Sequence, residues 1–235
     1  MVRTKNSHAC VPQFRSAFME AVIIPLVGFF TKPTVHRNSD SALNPHEPML
    51  IVANHVTEWD GPILAYGLPG PIRRRLAVAM AGEMLEDYRH FRNPNVGQRY
   101  HRFDLFGPLS YFFATLLFNV FPLPRVRDFQ RSFAHAGAAL DRGFNVLIFP
   151  EGELSKAGKL ARFRSGIGLL VKESSVPVLP IAVRGLGEMK TKQIGWFRSG
   201  ALSIHVGEPI RFSPLDSESA ITARLQAEVD KLLNG

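Results

Sequence analysis

The stretch MLIVANHVTEWDGP (residues 49–62) combines an apolar run, a polar loop and the start of a helix. The apolar run MLIVA at 49–53 is typical of a β-strand that is buried on both faces. Asp60 is followed by Gly61 and Pro62, which suits a helix N-cap with proline in the first turn. The stretch therefore predicts a buried strand, a loop and a helix in succession, which is the basic unit of an α/β fold.

The same alternation of apolar runs and helical patterns continues on both sides of this stretch. Strands are predicted at 74–82, 144–149, 176–184 and 201–212, and TVHR at 34–37 is compatible with a further short strand. Helices are predicted at 15–30, 63–68, 131–143, 165–174 and 217–233. Because the strands are apolar throughout and alternate with helices, we expect one α/β domain with a mostly parallel or mixed central sheet flanked by helices.

Two apolar stretches bear on membrane attachment. Residues 17–30, within the predicted N-terminal helix, are too few to span a bilayer comfortably. Residues 105–124 have the length of a span, but glycine and proline interrupt them. We expect buried or surface-facing segments of a folded domain, with interfacial insertion and a true span as alternatives. The chain accordingly divides into a tail and an apolar, membrane-associating helix (1–30) and a main domain (31–235).

Composition and charge narrow the class of protein. The 235 residues are 46% hydrophobic and 20% charged, which excludes a disordered or fibrous chain. A net charge of +8 fits nucleic acid, anionic lipid headgroups or phosphorylated small molecules, but the dispersed arginines show no nucleic-acid recognition motif. Cys10 is the single cysteine, so an intramolecular disulfide is excluded and nothing indicates an oxidising compartment.

His55 and Asp60 form the pattern H-x-x-x-x-D in the loop after the first predicted strand. On a regular helix five residues turn about 500°, so the two side chains would not share a face. Across a loop and a helix start, Asp60 can fold back to the imidazole, fix its tautomer and make the other nitrogen a general base. No serine or cysteine belongs to the pattern, so the base would activate a substrate hydroxyl. The alternative is a structural loop histidine beside a helix-capping aspartate.

A second polar loop, PEGELSKAGK (150–159), follows the strand predicted at 144–149. In α/β sheets, ligands gather at the carboxyl ends of the strands. We therefore expect this loop and the loop that carries His55 to form a single site at one edge of the sheet.

Four segments occur in an order that resembles the signature of the glycerolipid acyltransferase superfamily. They are ANHVTEWDGP (53–62), NVFPLPR (119–125), FPEGELS (149–155) and VPVLPIAV (176–183). That superfamily includes lysophosphatidic acid, glycerol-3-phosphate and related lysophospholipid acyltransferases, and the resemblance covers roughly residues 45 to 190. It implies that 31–235 is an acyltransferase domain.

The resemblance also implies a reaction and its partners. His55 would deprotonate the acceptor hydroxyl, Asp60 would orient His55, and the hydroxyl would attack the thioester of acyl-CoA or acyl-carrier protein without a covalent intermediate. The acceptor would be a lysophospholipid such as 1-acylglycerol-3-phosphate, at the cytoplasmic face of a membrane. We expect no cofactor beyond the thioester co-substrate, no metal site and no nucleic acid. A catalytically silent lipid or acyl-CoA binding module of the same fold is the alternative.

Further roles follow from the same resemblance. Arg125, Glu151 and Gly152 match positions implicated in acceptor binding. Asn54 matches an asparagine that helps to shape the loop, and Pro180 matches a position linked to the acyl donor.

The sequence departs from the family pattern in two blocks. The third block commonly reads E-G-T-R-S, but Glu153 and Leu154 stand here in place of threonine and arginine. The second block commonly has a glycine and a Phe-Ile pair, where this chain has Asn119, Pro122 and Leu123. Leucine cannot donate hydrogen bonds to a phosphate, so the identity of the acceptor stays open.

A basic segment follows the third block. Lys159, Arg162 and Arg164 precede the helix predicted at 165–174. Cations beside a helix N-terminus favour phosphate binding, so we expect this segment to receive a phosphate of the acceptor or of CoA. The alternative is a solvated basic face.

Overall fold

A computed structural model of the protein describes residues 16–38, 43–57, 60–81, 121–123, 129–155, 159–189 and 201–235. Arg125, Cys10 and most of the apolar stretch 105–124 lie outside these ranges.

The described residues form a seven-stranded mixed sheet. The strands are β1 (Thr34–Arg37), β2 (Leu50–Ala53), β3 (Leu76–Ala81), β4 (Phe121–Leu123), β5 (Asn145–Ile148), β6 (Val178–Arg184) and β7 (Ser203–Val206). Their order across the sheet is β1-β7-β6-β2-β5-β3-β4. The strands from β6 to β4 are parallel, whereas β7 runs antiparallel to β6 and β1 runs parallel to β7. The predicted α/β fold with a mostly parallel or mixed sheet is confirmed.

Helices cover both faces of this sheet. They are α1 (Ile24–Thr31), α2 (Asp60–Gly67), α3 (Gly70–Arg73), α4 (Phe129–Asp141), α5 (Gly166–Ser174), α6 (Leu186–Met189) and α7 (Glu218–Asn234). None of the helices among the described residues combines the length and the apolarity that a bilayer crossing requires.

The segment before α1 departs from the single regular helix predicted at 15–30. Met19–Ile23 forms a π-helical turn, in which the Ile24 N–H donates to the Met19 carbonyl five residues earlier. Pro25 follows directly and has no N–H to donate, so the regular pattern of α-helical hydrogen bonds cannot continue through this point.

The sheet separates two apolar clusters. Ile51 and Ala53 of β2 face the cluster that holds α2, while Leu50 and Val52 face the cluster that holds α4, α5 and α7. All four side chains are fully buried, as expected for a central parallel strand.

Two strands differ from the predictions at their ends. The strand predicted at 201–212 stops at Val206, and Ile210 makes an isolated bridge to Val178. Pro209 stands between them and cannot donate to a neighbouring strand. The three residues of β4 were not predicted, because Pro122 interrupts their apolar pattern.

A buried asparagine extends the sheet toward the loop that carries His55. The Asn54 side chain donates to the Val183 carbonyl at 3.0 Å and accepts from the Val183 N–H at 2.8 Å. The amide thus copies a backbone pair one residue past the end of β2. It ties the start of the loop to β6 and sets the point at which His55 leaves the sheet.

Candidate active site

His55 and Asp60 are in direct contact at the carboxyl edge of the sheet. The His55 Nδ1 lies 2.8 Å from the Asp60 Oδ2. The aspartate is 1% exposed, while the histidine side chain is 19% exposed. A carboxylate accepts from the Nδ1–H, so the lone pair resides on Nε2 and the partly exposed ring can act as a base.

The Asp60 carboxylate is held by the loop that precedes it. Its oxygens accept from the Val56 N–H at 2.6 Å, the Thr57 N–H at 3.0 Å and the Thr57 hydroxyl at 2.9 Å. The predicted capping role differs in detail, because α2 already begins at Asp60 and the carboxylate turns back to residues 55–57. The reason is that these upstream donors and the imidazole converge on the same carboxylate.

The His55 ring also rests on an aromatic ring from the neighbouring strand. Phe149 follows β5, and the two ring centroids are 4.2 Å apart with an interplanar angle of 18°. The sequence analysis did not assign Phe149 to the site. The available signal was its position at the end of the predicted strand 144–149 and at the start of the third block.

Glu151 contacts the loop that carries His55, and both of its carboxylate oxygens accept hydrogen bonds from groups of this chain. Its Oε1 accepts from the His55 N–H at 2.7 Å. Its Oε2 accepts from the Ser155 hydroxyl at 2.9 Å and from the Ala161 N–H at 2.7 Å. The two polar loops expected at one edge therefore meet, because β2 and β5 are parallel neighbours.

Gly152 and Arg164 occupy the next position in this loop. Gly152 has φ +72°, and a Cβ added there would overlap the Arg164 guanidinium. The side-chain Nε of Arg164 donates to the Glu151 carbonyl at 3.3 Å, and the backbone N–H of Arg164 donates to the Pro150 carbonyl at 2.9 Å. Among the residues that the sequence predicts to bind phosphate, Arg164 therefore contacts the third block.

The other predicted binding residues are distributed differently. Lys159 and Arg162 are exposed on the same segment as Arg164. The prediction for Arg125 lies outside the described residues. Pro180 is a buried residue of β6, paired in register with Val52 of β2.

The fold and the site define an α/β protein with a histidine–aspartate pair at the carboxyl edge of its sheet, and comparisons with known proteins show which proteins it resembles. A family model described as acyltransferase matches residues 95–184. The crystal structure of the 1-acyl-sn-glycerophosphate acyltransferase PlsC from Thermotoga maritima shares the fold, with a TM-score of 0.63 at 18% identity, over 94% of this chain and 77% of that chain. The chain is thus similar in part of its sequence to acyltransferases of the glycerolipid acyltransferase superfamily, and it shares its fold with one of them.

Two of the curated relatives that match at the sequence level differ in how much of the chain they cover. The chloroplastic 1-acyl-sn-glycerol-3-phosphate acyltransferase of Brassica napus is 36% identical over 76 residues, which are 32% of this chain and 22% of that protein. The N-acylphosphatidylethanolamine synthase of Arabidopsis thaliana is 29% identical over 224 residues, which are 88% of this chain and 72% of that protein. The match to the first relative thus spans about a fifth of its length.

Proposed function

We propose that the chain transfers a fatty acyl group from a thioester carrier, acyl-CoA or acyl-carrier protein, to the hydroxyl of a lysophospholipid such as 1-acylglycerol-3-phosphate. The observation that carries this proposal is the 2.8 Å contact between the partly exposed His55 and the buried Asp60. The similarity to an acyltransferase family model and to a 1-acyl-sn-glycerol-3-phosphate acyltransferase supports it.

The proposed step is a direct displacement at the thioester. The His55 Nε2 takes the proton of the acceptor hydroxyl while the hydroxyl oxygen attacks the thioester carbonyl carbon. The carbon–sulfur bond then breaks, and the imidazolium returns the proton to the leaving thiolate. Asp60 holds the ring and stabilises the imidazolium. The nearby Ser155 hydroxyl donates to Glu151, so it is not activated by His55, and no covalent acyl-enzyme is needed.

Cations near the pair support an acceptor that carries a phosphate. Arg164 lies over Gly152, and its Nε reaches the carbonyl of Glu151, the residue whose carboxylate accepts from His55. We assign Arg164, with the exposed Lys159 and Arg162, to the phosphate of the acceptor or of CoA. Arg164 would then compensate for the arginine that Leu154 replaces in the third block. Arg125 and Gly152 complete the proposed acceptor side.

A second candidate acceptor is the amine of an ethanolamine phospholipid. The relative that covers 88% of this chain is named an N-acylphosphatidylethanolamine synthase. The same imidazole could remove a proton from an attacking amine, and such an acceptor also carries a phosphate. The product would then be an amide in place of an ester.

The N-terminal helix supports a membrane surface as partner, which we expect to be a cytoplasmic face. Leu26, Phe29 and Phe30 on α1 are 46%, 72% and 61% exposed. The register places Thr34, just after α1, level with Ser203 and hence with Arg184 at the carboxyl end of β6. The end of α1 therefore lies at the edge of the sheet that carries His55, and we propose that this apolar patch enters the headgroup region.

The test is transfer from labelled acyl-CoA and acyl-carrier protein to a panel of lysophosphatidate, other lysophospholipids and phosphatidylethanolamine. An ester product with lysophospholipids supports the leading proposal, whereas an amide product supports the second candidate. His55→Ala and Asp60→Asn should each abolish most of the transfer. Full activity in both variants would refute the mechanism, and binding without turnover by the wild type would indicate a silent module.

A further inference from the structure

The main chain of His55 is held on both sides by the loop that follows β5. Its N–H donates to the Glu151 Oε1 at 2.7 Å, and its carbonyl accepts from the Ser155 N–H at 2.5 Å. The Ser155 hydroxyl closes the ring by donating to the Glu151 Oε2 at 2.9 Å. The closed ring of hydrogen bonds joins two loops that are 96 residues apart in the sequence.

Within this ring the buried Glu151 carboxylate accepts from three donors of its own chain. It is 3% exposed, and a third donor, the Ala161 N–H at 2.7 Å, shares its Oε2 with Ser155. A buried carboxylate that accepts several N–H and O–H groups is a stabilising anchor for those groups. This geometry does not support the acceptor-binding role that the family pattern assigns to Glu151.

We infer that Glu151 is a positioning residue that directs the His55 imidazole by holding the histidine backbone. The inference rests on the proposed function, because it assigns the effect of Glu151 to proton transfer by His55. Asp60 holds the Nδ1 of His55, and Phe149 holds the plane of the ring. Both contacts can form only if the His55 backbone is correctly placed. A displacement of about 1 Å at a reacting group can lower a rate by about 100-fold.

The test compares Glu151→Gln with Glu153→Gln, which makes the same chemical change at an exposed carboxylate in the same loop. Glu151→Gln replaces one carboxylate oxygen, which accepts hydrogen bonds, by an amide NH2 group, which donates them. This amide group would then face N–H or O–H donors of the same chain. We expect its kcat to fall by about 10- to 100-fold while the acceptor KM stays within about twofold. Glu153→Gln should leave both constants unchanged. A raised acceptor KM with unchanged kcat, or no change in either constant, would overturn the inference.

A second variant and a spectroscopic measurement cover the remaining outcomes. If Glu151→Gln does not fold, Ser155→Ala removes one bond of the ring and should lower kcat by about three- to tenfold at constant KM. The resonances of the His55 ring, followed by NMR, should shift in Glu151→Gln or in Ser155→Ala and not in Glu153→Gln. If the wild type transfers no acyl group, the proposed function fails, and the His55 resonances alone then test whether Glu151 positions the imidazole. Unshifted His55 resonances would then refute the positioning role.

Discussion

At the scale of the residue, Asp60 carries two tasks with one carboxylate. It accepts from the imidazole and from three donors of residues 56 and 57, while being 1% exposed. The loop shape and the tautomer of His55 therefore depend on the same two oxygen atoms. A change at Asp60 should alter both catalysis and stability, whereas a change at His55 should alter mainly catalysis.

Asp60→Asn keeps the size of the side chain but replaces one accepting oxygen by an amide NH2 group. This donor would face either the backbone N–H groups of residues 56 and 57 or the His55 imidazole. We expect kcat to fall by about 10³- to 10⁴-fold, because the wrong tautomer of His55 is then favoured. The free energy of unfolding should fall by about 1–3 kcal/mol, because a buried donor loses its partner. Activity assays and urea unfolding measure the two effects. His55→Ala is the control, with similar loss of activity and a smaller loss of stability; equal stability losses would contradict this account.

Gly152→Ala tests the close approach at the third block. At φ +72° an alanine is strained, and its Cβ would displace the Arg164 guanidinium. We expect a loss of about 1–2 kcal/mol in the free energy of unfolding, together with a raised KM for a phosphorylated substrate. Gly137→Ala on α4 is the matched control, since its Cβ would meet nothing within 4 Å. That control should be neutral or stabilising by up to about 1 kcal/mol. Equal effects in both variants would contradict the prediction.

At the scale of the element, an ion pair ties the N-terminal helical segment to α3. The Glu20 carboxylate accepts from the Arg73 Nε at 2.8 Å and from its Nη2 at 2.5 Å. This pairing lowers the pKa of Glu20 below its usual value of 4.5, with weaker help from Arg74 and against the opposing effect of burial. The two-pronged contact holds the segment that leads into α1 and its exposed phenylalanines.

Glu20→Gln should destabilise the protein in a pH-dependent manner. A carboxyl whose pKa is lowered by folding stabilises the folded state above its unfolded pKa, and this contribution disappears as the pH falls through the folded value. Near neutral pH we expect a loss of about 0.5–1 kcal/mol, as is usual for a partly exposed pair. Unfolding curves of wild type and variant should differ at pH 7 and converge well below pH 4.5. A difference that is independent of pH would contradict the ion-pair explanation.

At the scale of the whole molecule, the exposed apolar side chains are unevenly placed. Among the described residues, four large hydrophobic side chains are exposed, and three of them, Leu26, Phe29 and Phe30, lie on α1. The fourth, Leu215, lies in the turn before α7, and α7 packs on the opposite face of the sheet from α2. In the described part of the chain, this asymmetry concentrates exposed apolar side chains at the edge where the reaction is proposed.

Replacing Phe29 and Phe30 together by serine should weaken membrane binding without unfolding the domain, because both rings are mostly in solvent. We expect vesicle flotation with anionic lipids to recover the wild type and about tenfold less of the double variant. Leu215→Ser removes an even more exposed side chain elsewhere and is the matched control. Wild-type binding should weaken with salt, since the net charge is +8. Equal recovery of all three proteins would refute the membrane role of α1.

Much of the fold could be predicted because its signals are local. The buried strands β2, β5 and β6 appear in the sequence as mostly apolar runs, and the Gly143 that follows α4 has the positive φ expected of a helix terminus. The errors lie where proline interrupts a pattern. Pro122 concealed β4, Pro209 ended β7 early, and Pro25 replaced a regular helix by a π-helical turn.

The sequence by itself determined the α/β class and the pairing of His55 with Asp60, because five residues of loop suffice to bring these two side chains together. Tertiary structure alone decided that Phe149 stacks on the imidazole and that Glu151 holds the backbone of His55. These contacts form because β5 lies beside β2 in the sheet. The order of strands in a sheet arises from packing across the whole chain, and no local pattern of residues encodes it.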